Sequence, residues 1–155
     1  MTYYSEKLTP KASVLISAAV LCGMFGLLGL PFSQLVTLVA VTTLAIVGPL
    51  VMWAMAPKVS ITKSGAGPSG IELHCGRAHI DLAYLGEARG LDEDGLHKKL
   101  GVESSGRDFV CYSPWIKTGV AIDNTDDSDP IATWVVCSRH PGRLVDSLKK
   151  HTPSR

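Results

Sequence analysis

Between Lys11 and Pro57 the chain has no aspartate, glutamate, lysine, arginine or histidine. So long a run without an ionisable group reads as membrane. It also argues against a transporter or channel, whose ion and proton paths are marked by charged side chains within the spans. An excess of one charge sign is lacking too. The chain of 155 residues has a formal net charge of +1, and from Lys58 to Arg155 there are 13 Lys and Arg against 13 Asp and Glu. That balance argues against a nucleic-acid binder and against a strongly basic lipid clamp. No CxxC pair, internal repeat or long low-complexity tract is present. The four cysteines are Cys22 in the apolar run and Cys75, Cys111 and Cys137 beyond it.

The run from Ala12 to Ala56 is too long for one span. As a single helix it would measure about 68 Å, roughly twice the hydrocarbon thickness. Pro31, which lacks a backbone N–H and disfavours helix at Leu30, offers the break. Helix one is therefore predicted over about Ala12–Leu30 and helix two over about Phe32–Met55, with Ser33 or Gln34 near the second start. Lys7 and Lys11 precede the hairpin, Lys58 and Lys63 follow it, and the turn is uncharged. The positive-inside rule then places both termini in the cytoplasm and the turn outside, with Trp53 near the inner boundary. A signal peptide is the competing reading of Lys7–Leu28, but no small-x-small cleavage site ends that stretch. Ala19/Gly23 and Cys22/Gly26 are small-xxx-small pairs, suited to packing inside the hairpin or against another membrane protein. Gly48-Pro49 is expected to kink helix two.

Residues 1–11 read as an N-terminal cytoplasmic tail, 12–56 as the transmembrane hairpin and 58–155 as a cytoplasmic, mostly β domain. In the tail, Tyr3-Tyr4 suits the membrane interface. After the hairpin, β-type runs are expected at Val59–Thr62, Ile71–Cys75, Arg77–Tyr84, Gly86–Leu91, Phe109–Tyr112, Lys117–Ile122 and Thr133–Ser138. A short helix is expected at Asp92–Leu100, with acids at its front and lysines at its back, and another from Pro141 to about Lys150. Seven strands followed by a helix suggest a sandwich or partly open barrel with the helix over one end, the order of pleckstrin-homology-like domains. The fold class is thus α+β: a transmembrane helical hairpin, then a small pleckstrin-homology-like domain with a C-terminal helix.

Five fragments stand in order along the chain. They are Tyr4-Ser5-Glu6-Lys7-Leu8, Pro114-Trp115-Ile116, Asp129-Pro130, Trp134 and Ser138-Arg139-His140-Pro141. Together with the double span they resemble an actinobacterial family of membrane proteins known only as a domain of unknown function. The resemblance covers nearly the whole chain and implies a small integral membrane protein. It carries no activity, cofactor or catalytic residue. Ser113 stands where a basic residue is expected before Pro114-Trp115, so no charge role is carried over there.

Candidate chemistry is sparse. Gly65-Ala66-Gly67-Pro68-Ser69-Gly70 matches the dinucleotide pattern in letters, but a strand follows it where a helix N-terminus is needed, and Pro68 removes a donor, so it reads as a hairpin loop. His74, Cys75, His79, Cys111, Cys137 and His140 are the conceivable metal ligands. Zinc sites usually show two close pairs, and His74 and His79, five apart, would face opposite sides of a strand. Asp123, Asp126, Asp127 and Asp129 crowd one loop, without the glycine or trailing glutamate of an EF-hand. Cys111 or Ser138 with His140 would be the nucleophile and base, but no nucleophile-elbow motif surrounds them. Lys58, Lys63 and Arg77 read either as topology-setting charge or as contacts to anionic headgroups.

The expectation is a multi-pass protein of the plasma membrane, a non-enzymatic, membrane-anchored interaction or accessory module. No catalytic, cofactor or metal residue is assigned. Its expected partners are the lipid bilayer and, through the small-residue face of helix one, another membrane protein, with no nucleic acid. The alternative is a membrane-associated enzyme with its site at the domain–membrane junction.

Overall fold

A computed structural model describes residues 2–31, 33–64 and 67–152. Phe32, expected to start helix two, Gly65 and Ala66 of the glycine-rich stretch, and residues 1 and 153–155 lie outside them. The elements are β1 (Thr2–Lys7), α1 (Ala12–Gly26), α2 (Gln34–Ala54), β2 (Lys58–Lys63), β3 (Ile71–Cys75), β4 (Ala78–Asp81), β5 (Leu85–Leu91), α3 (Glu93–Leu100), β6 (Asp108–Cys111), β7 (Gly119–Asn124), β8 (Thr133–Cys137) and α4 (Pro141–His151). Short 3₁₀ turns follow α1 at Leu27–Gly29 and β4 at Leu82–Tyr84. The fold is mixed α+β, in two compact units: Met1–Leu8 with Pro57–Arg155, and Thr9–Ala56.

The helical unit begins where the sequence predicts. α1 gives way to the 3₁₀ turn before Pro31, and Ser33 caps α2, its Oγ accepting from the Val36 N–H at 3.1 Å. Thr37 and Thr42 donate their hydroxyls to the carbonyls of Ser33 and Leu38, so neither leaves a polar group facing outward. α2 runs on through Pro49 to Ala54. The two helices pack closely at small residues. A Cβ added at Gly26 would lie 2.5 Å from the Val41 backbone, one at Gly23 would lie 3.6 Å from Ala45 Cβ, and one at Gly48 would lie 2.6 Å from the Cys22 sulfur. The small-residue stripe is thus used within the hairpin. Two membrane-spanning helices were expected. By length and composition, α2 is the one described helix that qualifies, while α1 has 15 residues.

The β unit holds two four-stranded sheets. Sheet I is an antiparallel meander ordered β1-β2-β3-β4, and sheet II is ordered β5-β7-β8-β6 with β6 parallel to β8. Among the described residues eight strands stand where seven were expected. Residues 2–7 are not a tail but a strand whose Lys7 pairs with Lys58 and whose Glu6 pairs with Val59. That pairing bridges the whole helical hairpin, so no local pattern in the tail announces it. Tyr4 accordingly packs against the core, and Tyr3 stacks obliquely on His151 with ring centroids 4.3 Å apart, rather than both serving as free interface residues. The third β-type run is shorter than expected, because the Asp81 carboxylate accepts from the Ala83 N–H at 2.7 Å and turns the chain into 3₁₀ geometry.

One core joins the sheets. Val59, Ile61 and Leu73 come from sheet I, and Val120, Ile122, Trp134 and Val136 from sheet II. The register places Ile122 opposite Trp134 and Val120 opposite Val136, so these four share one face. α4 lies against β5, β7 and β1, with Leu144 and Leu148 fully or almost fully buried. α3 starts at Asp92, whose Oδ1 accepts from the Gly95 N–H at 2.8 Å, and buries Leu96.

Candidate functional site

Alternation along β1 turns Tyr4 and Glu6 toward the same side as their partners Ile61 and Val59, which are fully buried. This brings Glu6 to the point where β8 ends and the chain turns through Ser138 and His140 into α4. The Glu6 carboxylate accepts from Ser138 Oγ at 2.7 Å, from Tyr4 OH at 2.7 Å and from the Arg139 N–H at 3.0 Å. His140 Nδ1 lies 3.9 Å away. Ser138 Oγ also accepts from the His140 N–H at 3.1 Å, and its carbonyl accepts from Thr118 Oγ1 at 2.6 Å. Burial alone would raise the Glu6 pKa. The hydrogen bonds from Ser138, Tyr4 and Arg139, with the nearby His140, outweigh it and hold the carboxyl below its usual range. Burial, with the neighbouring carboxylate, pushes the Tyr4 phenol up to about 12.

A second tie lies beside the first. Trp115 Nε1 donates to the Leu8 carbonyl at 2.8 Å, and the Leu8 N–H donates to the Pro57 carbonyl at 2.9 Å. Leu8 is fully buried. The residues at which the hairpin leaves and re-enters the β unit are therefore hydrogen-bonded neighbours.

Chemically, this cluster is a clasp. A serine nucleophile needs a base that takes its proton and a substrate that can reach it. Ser138 is fully buried, and it donates to a carboxylate whose lowered pKa makes it a poor base. His140 offers the serine its backbone N–H, not its ring. Ser138 and His140 do come together, but as partners of Glu6.

The other candidates land elsewhere. His74 and His79 do not face opposite sides: they are directly paired across β3 and β4, with ring centroids 5.6 Å apart. Five residues separate faces along one strand, but the Cys75–Ala78 hairpin with Gly76 at φ +65° folds the strand back and restores the face. Glu72 Oε2 lies 3.2 Å from His74 Nε2. Among the described residues no three His, Cys, Asp or Glu side chains are placed to hold a metal ion. Cys75, Cys111 and Cys137 are free and buried. The hydrogen bond with Cys111, reinforced by burial, pushes the Cys75 thiol far up, and burial raises Cys137, so both are poor nucleophiles. In the glycine-rich loop, Gly67 sits on Asp81 and the Ser69 N–H donates to it at 3.2 Å, so Ser69 and Asp81 close a loop over sheet I. Two of the acids of residues 123–129 are occupied within the loop, Asp126 accepting from Ser128 and Asp129 from Asn124 and Ile131, while Asp123 Oδ2 lies 4.0 Å from the Arg89 guanidinium. A cavity of about 340 Å³ beside α3 is lined by Glu93, His97, Tyr112 and Lys117 among others, with Lys117 Nζ 2.6 Å from Glu93. Neither Ser138 nor His140 reaches it.

The residues that meet in the two ties are those of the fragments Tyr4–Leu8, Pro114–Ile116 and Ser138–Pro141, and a family model described as "Protein of unknown function (DUF3093)" matches residues 3–148. The chain belongs to this family. No curated protein and no solved structure matches it. The matched residues take in the hairpin and both ends of the clasp.

Local sequence reasoning placed Ser138 and His140 near each other because they are neighbours in the chain. It missed Glu6 and Tyr4 as their partners. The available signal was the Tyr4/Glu6 alternation beside the Tyr4–Leu8 fragment, which marked the segment without saying what it pairs with.

Proposed function

We propose that this family member is a non-enzymatic, membrane-anchored interaction or accessory module of an actinobacterial plasma membrane, its hairpin crossing the bilayer twice. The observation that carries the reading is the pairing of β1 with β2. Two neighbouring strands of one sheet lie on one side of a membrane, so the segment between them crosses an even number of times. α2 is long enough to span. The partner crossing falls to α1 with its 3₁₀ turn, Ala12–Gly29, about 28 Å long at helical rises, close to the roughly 30 Å hydrocarbon core. The outward apolar side chains support this, Leu28 being 73% and Leu35 72% exposed. Lys7 and Lys58 put both termini in the cytoplasm, and Trp53 suits the inner boundary.

The four-stranded meander, second sheet and C-terminal helix support a pleckstrin-homology-like reading of the β unit. The parallel β6/β8 pair is where it departs from an all-antiparallel sandwich. A membrane partner would meet α1 along the apolar groove lined by Ala19, Val20 and Met24, the small residues Gly23 and Gly26 being taken up by α2. The balanced charge speaks against nucleic acid. Against the enzyme alternative stands the clasp, whose serine is buried and whose histidine lines none of the cavities described.

Single-cysteine labelling of the full chain in cells tests the topology. With a membrane-impermeant maleimide, Ser33→Cys should react from outside. Thr2→Cys and Ser104→Cys should both react only after permeabilisation. Labelling of Thr2→Cys and Ser104→Cys from opposite sides would overturn the proposal.

A further inference from the structure

Sheet I carries ionisable side chains on the face turned away from the core. The register sets Leu73 opposite Ile80, and both belong to the core. Alternation turns their neighbours to the other side, Glu72 opposite Asp81 and His74 opposite His79. Four ionisable groups thus stand in a square on two adjacent strands. Both acids are buried, and among the described residues neither lies within ion-pair distance of a lysine or arginine. Asp81 accepts from the Ser69 and Ala83 N–H groups, and Glu72 has His74 beside it. Carboxylates directly opposite each other on neighbouring strands repel, so a cation on this face relieves the repulsion.

The imidazoles decide which cation. Cys75 and Ala78 pair across a turn of two residues, Gly76 and Arg77. The pair next to such a turn is hydrogen-bonded, so His74 and His79 form the next, closely spaced pair, with Cα atoms about 4.5 Å apart. Their ring centroids are 5.6 Å apart; His79 is exposed and His74 partly so. An ion about 2.0 Å from one nitrogen of each ring, bound at a tetrahedral angle, sets the centroids roughly 5 Å apart. A small side-chain rotation reaches that geometry. Glu72 Oε2 lies 3.2 Å from His74 Nε2. A carboxylate there holds the ring proton on Nε2 and leaves the Nδ1 lone pair for a metal, which is how carboxylates orient metal-binding histidines. From this juxtaposition we infer that His74 and His79 form a docking site for a divalent transition-metal ion of the zinc, nickel or copper class, with Glu72 positioning His74. Imidazole ligands suit these ions, whereas magnesium and calcium take oxygen. Two protein ligands, with water in the remaining positions, make an exchangeable site rather than a closed structural centre. All the groups lie in sheet I, so the inference stands apart from the membrane reading.

The test uses the full chain, purified in an uncharged detergent without a histidine tag and titrated with Zn²⁺ or Ni²⁺ by calorimetry. Either ion should bind and raise Tm, as a ligand of the folded state does, and Mg²⁺ should do neither. His79→Gln changes an exposed side chain, so its metal-free Tm should match the parent's while its Zn²⁺ affinity falls at least about tenfold. His74→Gln should lose as much. Glu72→Gln should weaken binding about 10- to 100-fold, whereas a merely structural role would lower the metal-free Tm and leave the affinity alone. His97→Gln, on α3, should bind like the parent. Parent-like affinity in His79→Gln, an equal loss in His97→Gln, or Zn²⁺ binding that survives in the His74→Gln/His79→Gln chain would each overturn the inference.

Discussion

The two units of this protein are both rich in aliphatic side chains, and they place them in opposite ways. In the β unit Leu8, Ile61, Leu73 and Leu144 are fully buried. In the helical unit Leu28, Leu35 and Met55 are 73%, 72% and 79% exposed, and the buried positions within α1 and α2 are Gly23, Gly26 and Thr37. A water-soluble fold gains about 25 cal/mol for each Å² of apolar surface it hides, and the β unit is organised by that gain. The hairpin forgoes it and packs by close backbone approach at glycines, which is how helices associate when their surroundings are already apolar. Side-chain size therefore has opposite meanings in the two units: a large residue stabilises the β core, while a small one stabilises the helix pair.

The largest expected effect removes bulk from the β core. Trp134 is 3% exposed and packs on Phe109 with ring centroids 4.3 Å apart. Trp134→Ala in the full chain should cost about 3–5 kcal/mol, and Leu148→Ala about 2–5 kcal/mol. A double-mutant cycle read by denaturant unfolding measures their coupling across the shared core. A Trp134→Ala chain with unchanged stability would break the contrast between the units. The full chain is required, because a fragment beginning at Lys58 lacks β1 and Leu8.

Adding bulk to the hairpin is the converse and should cost about 1–3 kcal/mol. Gly26→Val drives a side chain into the Val41 backbone. Helix proximity can be read by a cross-link. A Cβ at Gly48 lies 3.3 Å from Cys22 Cβ, close to the spacing of a disulfide, so Gly48→Cys should bridge to Cys22 on mild oxidation. Gly26→Val in that background should reduce the yield sharply. An undiminished yield would mean that glycine size does not hold the pair.

The smallest effect sharpens the comparison at the clasp, where the β unit is held by polar groups. Glu6→Ala leaves the buried Ser138 hydroxyl and the Arg139 N–H without their acceptor, which should cost about 1–3 kcal/mol. The sign with pH follows from the lowered pKa of Glu6. A carboxyl whose folded pKa lies below its unfolded value stabilises fully above the unfolded pKa and loses that contribution as pH falls through the folded one. The ionisation-dependent part of the difference between parent and Glu6→Ala should therefore be constant near neutrality and shrink in acid, below about pH 4. A difference that grows in acid would remove the ionised carboxylate from the clasp.

The sequence by itself determined what depends on neighbours in the chain. The uncharged run, the break at Pro31 with a helix start near Ser33 or Gln34, the short helix over Asp92–Leu100 and the helix from Pro141 all follow from spacings of a few residues, and the structure carries each of them. The β-type runs were equally legible, since alternation within one strand is a local pattern. Faces across a turn were not: His74 and His79 share a side because of hairpin register, a property of two strands at once. The β1/β2 pairing, the parallel β6/β8 pair and the clasp were decided only by the tertiary structure. Glu6 and Ser138 stand 132 residues apart, and nothing local to either says that the other will be its partner. Pairing over such distances is selected by the whole core, because β1 can bury Tyr4 and Leu8 only by closing on β2, and only that closure carries Glu6 to the start of α4.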